Sequence, residues 1–490
     1  MAQNPLELVG SPDALSTGEG PLYQRLAAAV TAAVDEGRAR PGMVLPPERA
    51  LAQQFGVSRS TVVAAYERLR EAGVVERRQG SGTRIAARAG RQASIAREAA
   101  LVEVMHRNVL FRGVIDGTEG RIDFLGAHHG ATERLSSVME AADEELKSAS
   151  VHHGYFPGGY PPLRRAIAEH LTAKGLPTVP GEVLVTNGAQ QAISLAMAFL
   201  AQRGDTVAIE NPSYPGAIDA AAGVGAQVVP ILVGVNGAGV GALGDILATR
   251  SPRVVYLNPT FQNPTGTVMP DAARAEVARL VSRHQSVLID DCAVVDLWTR
   301  DEPPPPIAAH AIDAPILTVG SMSKLFWGGL RVGWVRAPAA LRARLTGFKA
   351  MLDLGSSIPS QVLATHLLAE LDAVREERRA EAIAKFRLLN SLLTELLPSW
   401  SWTVPTGGLW VWARMPVGSA RDFAAEALRE GVAILPGPTS SCNLSFNNHI
   451  RLTIARSPEV LTEGMHRLAA AWERYRPRAE GSGDALEVIV

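Results

Sequence analysis

From residue 121 onward the chain alternates short apolar runs with stretches of helical period, and this alternation constrains the fold more than any other feature. The runs fall at 183–186, 207–210, 254–257, 287–290, 316–319 and 332–335 and are rich in valine, isoleucine and leucine. Unbroken apolar runs of this length belong to strands covered on both faces, because a half-exposed strand would alternate polar and apolar residues. Apolar residues return with the helix period over 189–202 and 271–284. Strand, helix and strand in repetition predict an α/β domain around a mainly parallel sheet.

The N-terminal segment reads differently. Leu22, Leu26, Ala29, Val30 and Ala33 recur at helical spacing and stop at Gly37. Pro46-Pro47-Glu48 opens a short helix through Leu51 and Phe55 that ends at Gly56. Ser58 is placed as the N-cap of a third helix, 59–72, with Val62, Tyr66 and Leu69 on one face. The stretch VVERRQGSGTRI supplies two β-prone runs joined at Gly80-Ser81-Gly82. Three helices and a hairpin predict a winged helix-turn-helix. Residues 21–91 hold twelve arginines against six acidic residues, in a chain whose net charge is -1. A small basic head therefore precedes a mildly acidic body, which excludes a uniformly basic nucleic-acid coat and leaves DNA binding to the head.

Composition narrows the chemistry. Two cysteines, Cys292 and Cys442, provide neither a disulfide framework nor a cysteine zinc site, and no metal is expected. The opening MAQNPLELVG lacks a basic stretch followed by an apolar run, so no signal peptide is expected. The uncharged stretch 220–244 is glycine-rich and interrupted by Pro230 and Asn236, a poor candidate for a membrane span. The expected location is cytoplasmic. Only five lysines occur, Lys147, Lys174, Lys324, Lys349 and Lys385, so chemistry that needs an amine has few candidates.

Lys324 has the surroundings such chemistry requires. Ser321-Met322-Ser323-Lys324 follows the apolar run ILTVG, and Gly328-Gly329-Leu330-Arg331 lies just beyond. Small hydroxyls, glycines and an arginine around a lysine suit a phosphate-bearing aldehyde cofactor. Lys324 would form the imine, Arg331 would pair with the phosphate, and Ser321 and Ser323 would add hydrogen bonds. Asn187-Gly188-Ala189-Gln190 joins a strand to a helix whose N-terminus is an anion site for the same phosphate. Asp290, closing SVLIDD, would keep a pyridine nitrogen protonated, with Asp291 as the alternative one residue on. Asn263 in QNPTG can donate to the phenolic oxygen of the ring.

The segment LPPERALAQQFGVSRSTVVAAYERLREAGVVERRQGSGTRI resembles the DNA-binding domain of the GntR family of bacterial regulators. A recognition helix that begins with Ser58, Arg59, Ser60 and Thr61 can set a guanidinium on guanine edges and hydroxyls on phosphate. Glu48 and Arg49 on the preceding helix, and Gln79 and Gly80 at the wing tip, complete the expected DNA-binding set. Val63 stands where some members carry a DNA-facing arginine, which shifts specificity toward Arg59 and Arg49.

Over 121–476 the residues around Lys324 together resemble the fold-type I, class I/II aminotransferases, which bind pyridoxal 5'-phosphate (PLP). The resemblance implies a large domain with a mainly parallel sheet and a smaller C-terminal α+β subdomain. It also implies that Tyr214 in NPSYPG stacks on the ring and that Arg451 in HIRLTIA holds an effector or substrate carboxylate. Tyr155 in GYFPGGYPPLR corresponds to a tyrosine that reaches the phosphate in the partner subunit. Family members usually carry a tyrosine shortly after the pyridine aspartate. That place reads here as Cys292, a weak donor, so cofactor binding should survive while sustained turnover should not.

A GntR-like head on an aminotransferase-like body resembles the MocR (GabR-like) subfamily of transcriptional regulators. The expected boundaries are an arm over 1–20, the head over 21–86, a linker over 87–120, the body over 121–476 and a tail over 477–490. The resemblance implies a homodimer, domain-swapped head to tail, that reads a double-stranded DNA operator and senses PLP or a small amino compound bearing a carboxylate. The alternative is a working PLP-dependent aminotransferase with an accessory DNA-binding head. Cys292 and the intact DNA-reading turn favour the regulator.

Overall fold

The apolar stripes of the N-terminal segment meet in one small core. Leu26, Val30 and Ala33 of α1 (Leu22–Asp35) are buried with Leu51 and Phe55 of α2 (Glu48–Phe55) and with Val62, Tyr66 and Leu69 of α3 (Arg59–Glu71). Leu22, which opens the stripe, is exposed. Helix α2 stops where Gly56 takes a φ of 62°, a left-handed conformation that a residue without a side chain adopts freely. Ser58 Oγ then accepts a hydrogen bond from the Thr61 N–H at 3.1 Å, capping α3 as its position predicts. The Tyr66 hydroxyl donates to the Pro46 carbonyl at 2.8 Å and ties the start of α2 to α3. Strands β1 (Val75–Arg78) and β2 (Gly82–Ile85) pair antiparallel as the wing.

The computed structural model describes residues 21–35, 39, 42–71, 74–78, 82–86 and 120–477. The chain divides into two compact units, Met1–Glu103 and Val104–Val490. The expected arm, all of the linker but Gly120, and all of the tail but Pro477 lie outside the described residues, as do Gln79 and Gly80.

The second unit is built on an eight-stranded sheet of order β4-β11-β10-β9-β8-β5-β6-β7. Its strands are β4 (Val183–Thr186), β5 (Thr206–Asn211), β6 (Gln227–Gly234), β7 (Gly237–Ala238), β8 (Val254–Leu257), β9 (Val287–Asp291), β10 (Ile316–Ser321) and β11 (Gly333–Arg336). The five central strands, β10-β9-β8-β5-β6, pair in parallel. Strand β11 pairs antiparallel with β10 and β4, and β7 with β6. The apolar runs read from sequence become six of these strands, whereas β6 and β7 come from the glycine-rich stretch, where no strand is predicted. Both faces are covered: Val185, Val255 and Leu288 belong to one core, and Leu184, Val254 and Ile289 to the other. The helix Ala189–Leu200 packs in the second core through Ala192, Ile193 and Ala196, and the predicted helix at 271–284 forms as Asp271–His284.

A smaller antiparallel sheet of order β12-β13-β16-β15 follows, with β12 (Ser401–Trp402), β13 (Trp410–Arg414), β15 (Leu435–Pro436) and β16 (His449–Thr453). The helices Ala420–Arg429 and Pro458–Arg474 pack together beside it. Strand β3 (Ile122–Asp123) pairs in parallel with β14 (Val432–Ala433), so the start of this unit is fastened to its C-terminal part. No helix among the described residues is long and apolar enough to cross a membrane.

Candidate functional sites in the head and the body

The carboxyl ends of the parallel strands open into a cavity of about 700 Å³, the end at which α/β sheets carry their ligands. Lys324, just past β10, lines it, as do Ser321, Ser323, Arg331, Ala189, Gln190, Tyr214, Asn263 and Arg451. Residues scattered over the sequence from 189 to 451 are thus brought to one place. Lys324 Nζ donates to the Ala127 carbonyl at 2.8 Å. Burial, with the Arg451 and Arg331 charges behind it, pushes its amine down to about 8 against the opposing pull of Asp291. A neutral, nucleophilic amine is then accessible near physiological pH.

One end of the cavity is shaped for an anion. The helix Ala189–Leu200 starts here, and Gly188 at its N-cap has φ 84°. A Cβ at Gly188 would stand 3.0 Å from Arg331 Nη2, so the missing side chain lets the guanidinium lie against the helix N-terminus. Arg331 donates to the Asn187 carbonyl at 2.8 Å and is itself held at φ 52°, a sparsely populated conformation for a residue with a side chain. Hydroxyls of Ser321 and Ser323, backbone amides and this arginine face one volume, a donor set that matches a phosphate.

Arg451 on β16, almost wholly buried, lines the same cavity. Its Nη1 donates to Asn263 Oδ1 at 3.0 Å and its Nη2 to the Leu125 carbonyl, while Nε has no partner. No carboxylate among the described residues forms an ion pair with it. Desolvation accordingly pulls its guanidinium down to about 10. Besides these oxygens it has, among the described residues, only the Trp410 ring, 5.7 Å from the guanidinium carbon. A buried cation without a counter-charge is electrostatically incomplete, and an incoming carboxylate would complete it. Asn263 spends its carbonyl on Arg451, which leaves its amide NH2 for a ligand. Tyr214 is half-buried at the start of the helix Pro215–Gly223, and desolvation of its phenol raises its pKa and holds it neutral.

Two expectations are corrected. Asp290 does not reach the cavity. Its carboxylate accepts from the Ile307 N–H at 2.9 Å and from Cys292 Sγ at 3.5 Å, and Arg274 provides the neighbouring charge. Successive side chains of a strand point to opposite faces, so Asp291 takes the cavity side. There Asp291 accepts from the Tyr256 hydroxyl at 2.6 Å and from the Ala293 N–H at 3.0 Å. Cys292 is displaced for the same reason: it is buried beside Asp290, and the residue that lines the cavity after Asp291 and Ala293 is Val294. A side chain with no donor at all, rather than a weak thiol, occupies that wall. Tyr155, expected to serve the partner subunit's site rather than this one, is exposed and stacked on His153.

Sequence reasoning missed four neighbours. His128 lines the cavity among the charges of Arg456, Lys324 and Asp123, Trp410 lies against Arg451, Asn258 lies beside Asn263, and Tyr256 supports Asp291 from behind. Tyr256 and Asn258 bracket the end of β8 beside the recognised QNPTG, a signal that could have been used. His128 and Trp410 carried no local pattern.

In the head, Glu48, Arg49, Ser58, Arg59, Ser60 and Thr61 gather at the facing ends of α2 and α3. Ser58 Oγ lies 2.8 Å from Ser60 Oγ and 2.7 Å from Thr61 Oγ1. Arg59 Nη2 and Nε donate to Glu48 Oε2 at 3.0 and 3.3 Å. Arg49 is exposed on α2.

Residues 120–468 match the family Aminotransferase class I and II, and residues 22–85 match Bacterial regulatory proteins, gntR family. An "uncharacterized HTH-type transcriptional regulator", YdfD of Bacillus subtilis, is 29% identical over 91% of this chain and 95% of its own length. The 2-aminoadipate transaminase of Thermus thermophilus is 34% identical but aligns with 64% of this chain and 79% of its own. Among solved structures, the alpha-aminoadipate aminotransferase LysN of Thermus thermophilus, complexed with N-(5'-phosphopyridoxyl)-L-leucine, gives a TM-score of 0.69 at 30% identity, covering 76% of this chain and 96% of that one. The regulator is similar over nearly the whole chain, the transaminases over two thirds to three quarters of it.

Proposed function

The chain belongs to the aminotransferase class I and II family and carries a GntR-type head, the domain pairing of MocR-type transcriptional regulators, and from that premise we propose that its second unit is the sensor of a PLP-dependent regulator. The head binds double-stranded DNA. The body binds PLP and responds to PLP itself or to an amino compound bearing a carboxylate. Bound PLP supplies an aldehyde reactive toward amines and an electron-withdrawing ring.

The observation that carries this reading is the charge of the cavity. Three cations, Lys324, Arg331 and Arg451, line it, whereas of its two carboxylates Asp123 is already paired with Arg456 at 2.8 Å. A phosphate and a carboxylate would neutralise the excess. Arg331, Ser321, Ser323 and the amides at Ala189 and Gln190 would hold the phosphate. Asp291 would hold the proton of the ring nitrogen, kept in place by Tyr256, and Tyr214 would cover the ring. Lys324 would offer its neutral amine to the aldehyde, and Arg451 would orient the effector's carboxylate.

Val294 supports sensing over turnover, because the wall after Asp291 offers no donor to a ring oxygen. A working aminotransferase is the second reading, favoured by the completeness of the remaining set. Exposed Tyr155, Met351, Leu352 and Leu354 suit burial in a homodimer, in which Tyr155 would serve the partner's site. A DNA reader with this composition belongs in the cytoplasm.

Purified protein loaded with PLP should be yellow and lose that absorbance on borohydride treatment. Peptide mass analysis should place a phosphopyridoxyl group on Lys324 and on none of the other four lysines. A label on another lysine, or none, defeats the site assignment.

A further inference from the structure

We propose that Glu48 is a specificity-determining residue of the head that acts through Arg59. The proposal rests on the head's reading of DNA. Glu48 is the first residue of α2 and Arg59 the first of α3, so their side chains meet across the helix-turn-helix. One carboxylate oxygen, Oε2, accepts from both Nε and Nη2 of Arg59, at 3.3 and 3.0 Å. The two partners are held unequally: the Glu48 side chain is 22% exposed and that of Arg59 59%. Glu48 is therefore the fixed member. Its carboxylate also profits from the N-terminal end of α2, whose N-cap, Pro47, provides no side-chain acceptor or donor. The bond from Tyr66, midway along α3, to Pro46 ties the start of α2 to α3, so the pair is set on a common frame.

The geometry has a consequence for recognition. A guanidinium offers its donors along distinct edges. Glu48 takes the Nε–Nη2 edge and leaves the Nη1–Nη2 edge free, the edge whose parallel donors match O6 and N7 of guanine. An unheld arginine on an exposed helix turn would distribute among many rotamers and pair readily with phosphate, which carries no sequence information. The Glu48 carboxylate opposes both outcomes. It fixes the fork, and its charge repels phosphate from the Arg59 environment. Removing it should leave affinity for arbitrary DNA equal or higher and lower the discrimination between bases.

The test uses the full chain, loaded with PLP. Duplexes are selected from a randomised pool by the wild type, and the preferred duplex and all its single-base variants are then titrated at two salt concentrations. Arg59→Ala identifies the base pair whose penalty depends on Arg59, expected to be about 5- to 150-fold in the wild type. Glu48→Ala should lose most of the penalty at that pair and at no other. It should bind non-cognate duplexes at least as tightly as wild type, with a steeper salt dependence. Glu48→Gln, which keeps an acceptor at the same reach, should retain more discrimination than Glu48→Ala. The double variant Glu48→Ala/Arg59→Ala should discriminate no worse than Arg59→Ala alone. A uniform loss of affinity over all duplexes in Glu48→Ala, with the penalty at the Arg59 pair intact, overturns the proposal. If the wild type selects no duplex, DNA reading itself fails and the proposal falls with it.

Discussion

Arg59 and Arg451 are the arginines that the proposed function assigns to DNA and to a carboxylate, and the two units hold them in opposite ways. Arg59 stands in water at the start of α3, neutralised in part by Glu48. Arg451 lies buried on β16 with two neutral oxygens and an unpartnered Nε. In the head the charge is screened and its worth lies in geometry. In the body the charge is desolvated, so its ligand must replace both the missing counter-charge and the missing hydrogen bond. The comparison separates a site that reads a surface from one that encloses a small molecule.

Salt should separate them most. A dimer whose heads contact six to ten phosphates should lose about 10³–10⁵-fold in DNA affinity between 50 and 200 mM salt, through counterion release. Binding of a carboxylate-bearing amino compound in the cavity should change little over that range, because buried charges are weakly screened. Fluorescence titrations of labelled duplex and calorimetry of the small ligand measure the two slopes. Equal slopes would dissolve the distinction.

Arg451→Ala sharpens it next. The variant should keep PLP, whose phosphate the proposed function gives to Arg331 and the helix N-terminus rather than to Arg451, and lose the amino-acid effector by about 1.5–3 kcal/mol, the range for a hydrogen bond to a charged group. Unchanged spectral titration with carboxylate amino acids would remove Arg451 from the ligand site.

The smallest effect lies behind the cavity. Glu210 on β5 is fully buried, and desolvation raises its carboxyl to about 8 despite hydrogen bonds from the Asn258 N–H and Gln262 Nε2. Its folded pKa lies above its ordinary value, so the folded state holds a proton that the unfolded chain releases. That contribution is complete below pH about 4.5 and is lost as pH rises through about 8. Glu210→Gln should flatten the fall in melting temperature between about pH 4.5 and 8. An identical slope in the variant would show that Glu210 is ionised in the fold.

Much of this was legible because strand and helix periods are local. The runs at 183–186 and 254–257 became strands of those limits, and Ser58 caps α3. Lys324 and Arg331 were readable because small residues and hydroxyls crowd one loop. Choosing between Asp290 and Asp291 required the phase of β9 relative to the sheet, which a run of apolar residues buried on both faces does not disclose. The misplacement of Cys292 for Val294 is the same error carried along the strand's exit. Strand β6 was missed although its QVVPILVG is rich in β-prone residues, because Pro230 interrupts the run inside a glycine-rich stretch; pairing with β5 accommodates the proline. His128 and Trp410 reach the cavity only through the fold.

The central claim is that a ligand in the cavity alters what the head does to DNA. It requires differential binding to two states of the protein, since a ligand that binds both equally shifts nothing. The direct measurement is the affinity of the full-length protein for its selected duplex, with and without PLP and with PLP plus an amino acid, in wild type and in Lys324→Ala. A coupling of about 1–3 kcal/mol predicts a 5- to 150-fold change in the wild type. Lys324→Ala should remain folded and bind the duplex without that change. Wild-type affinity that ignores PLP and amino acids, together with sustained turnover of amino and keto acids at about 1–1000 per second, would contradict the account and leave an enzyme with an accessory head.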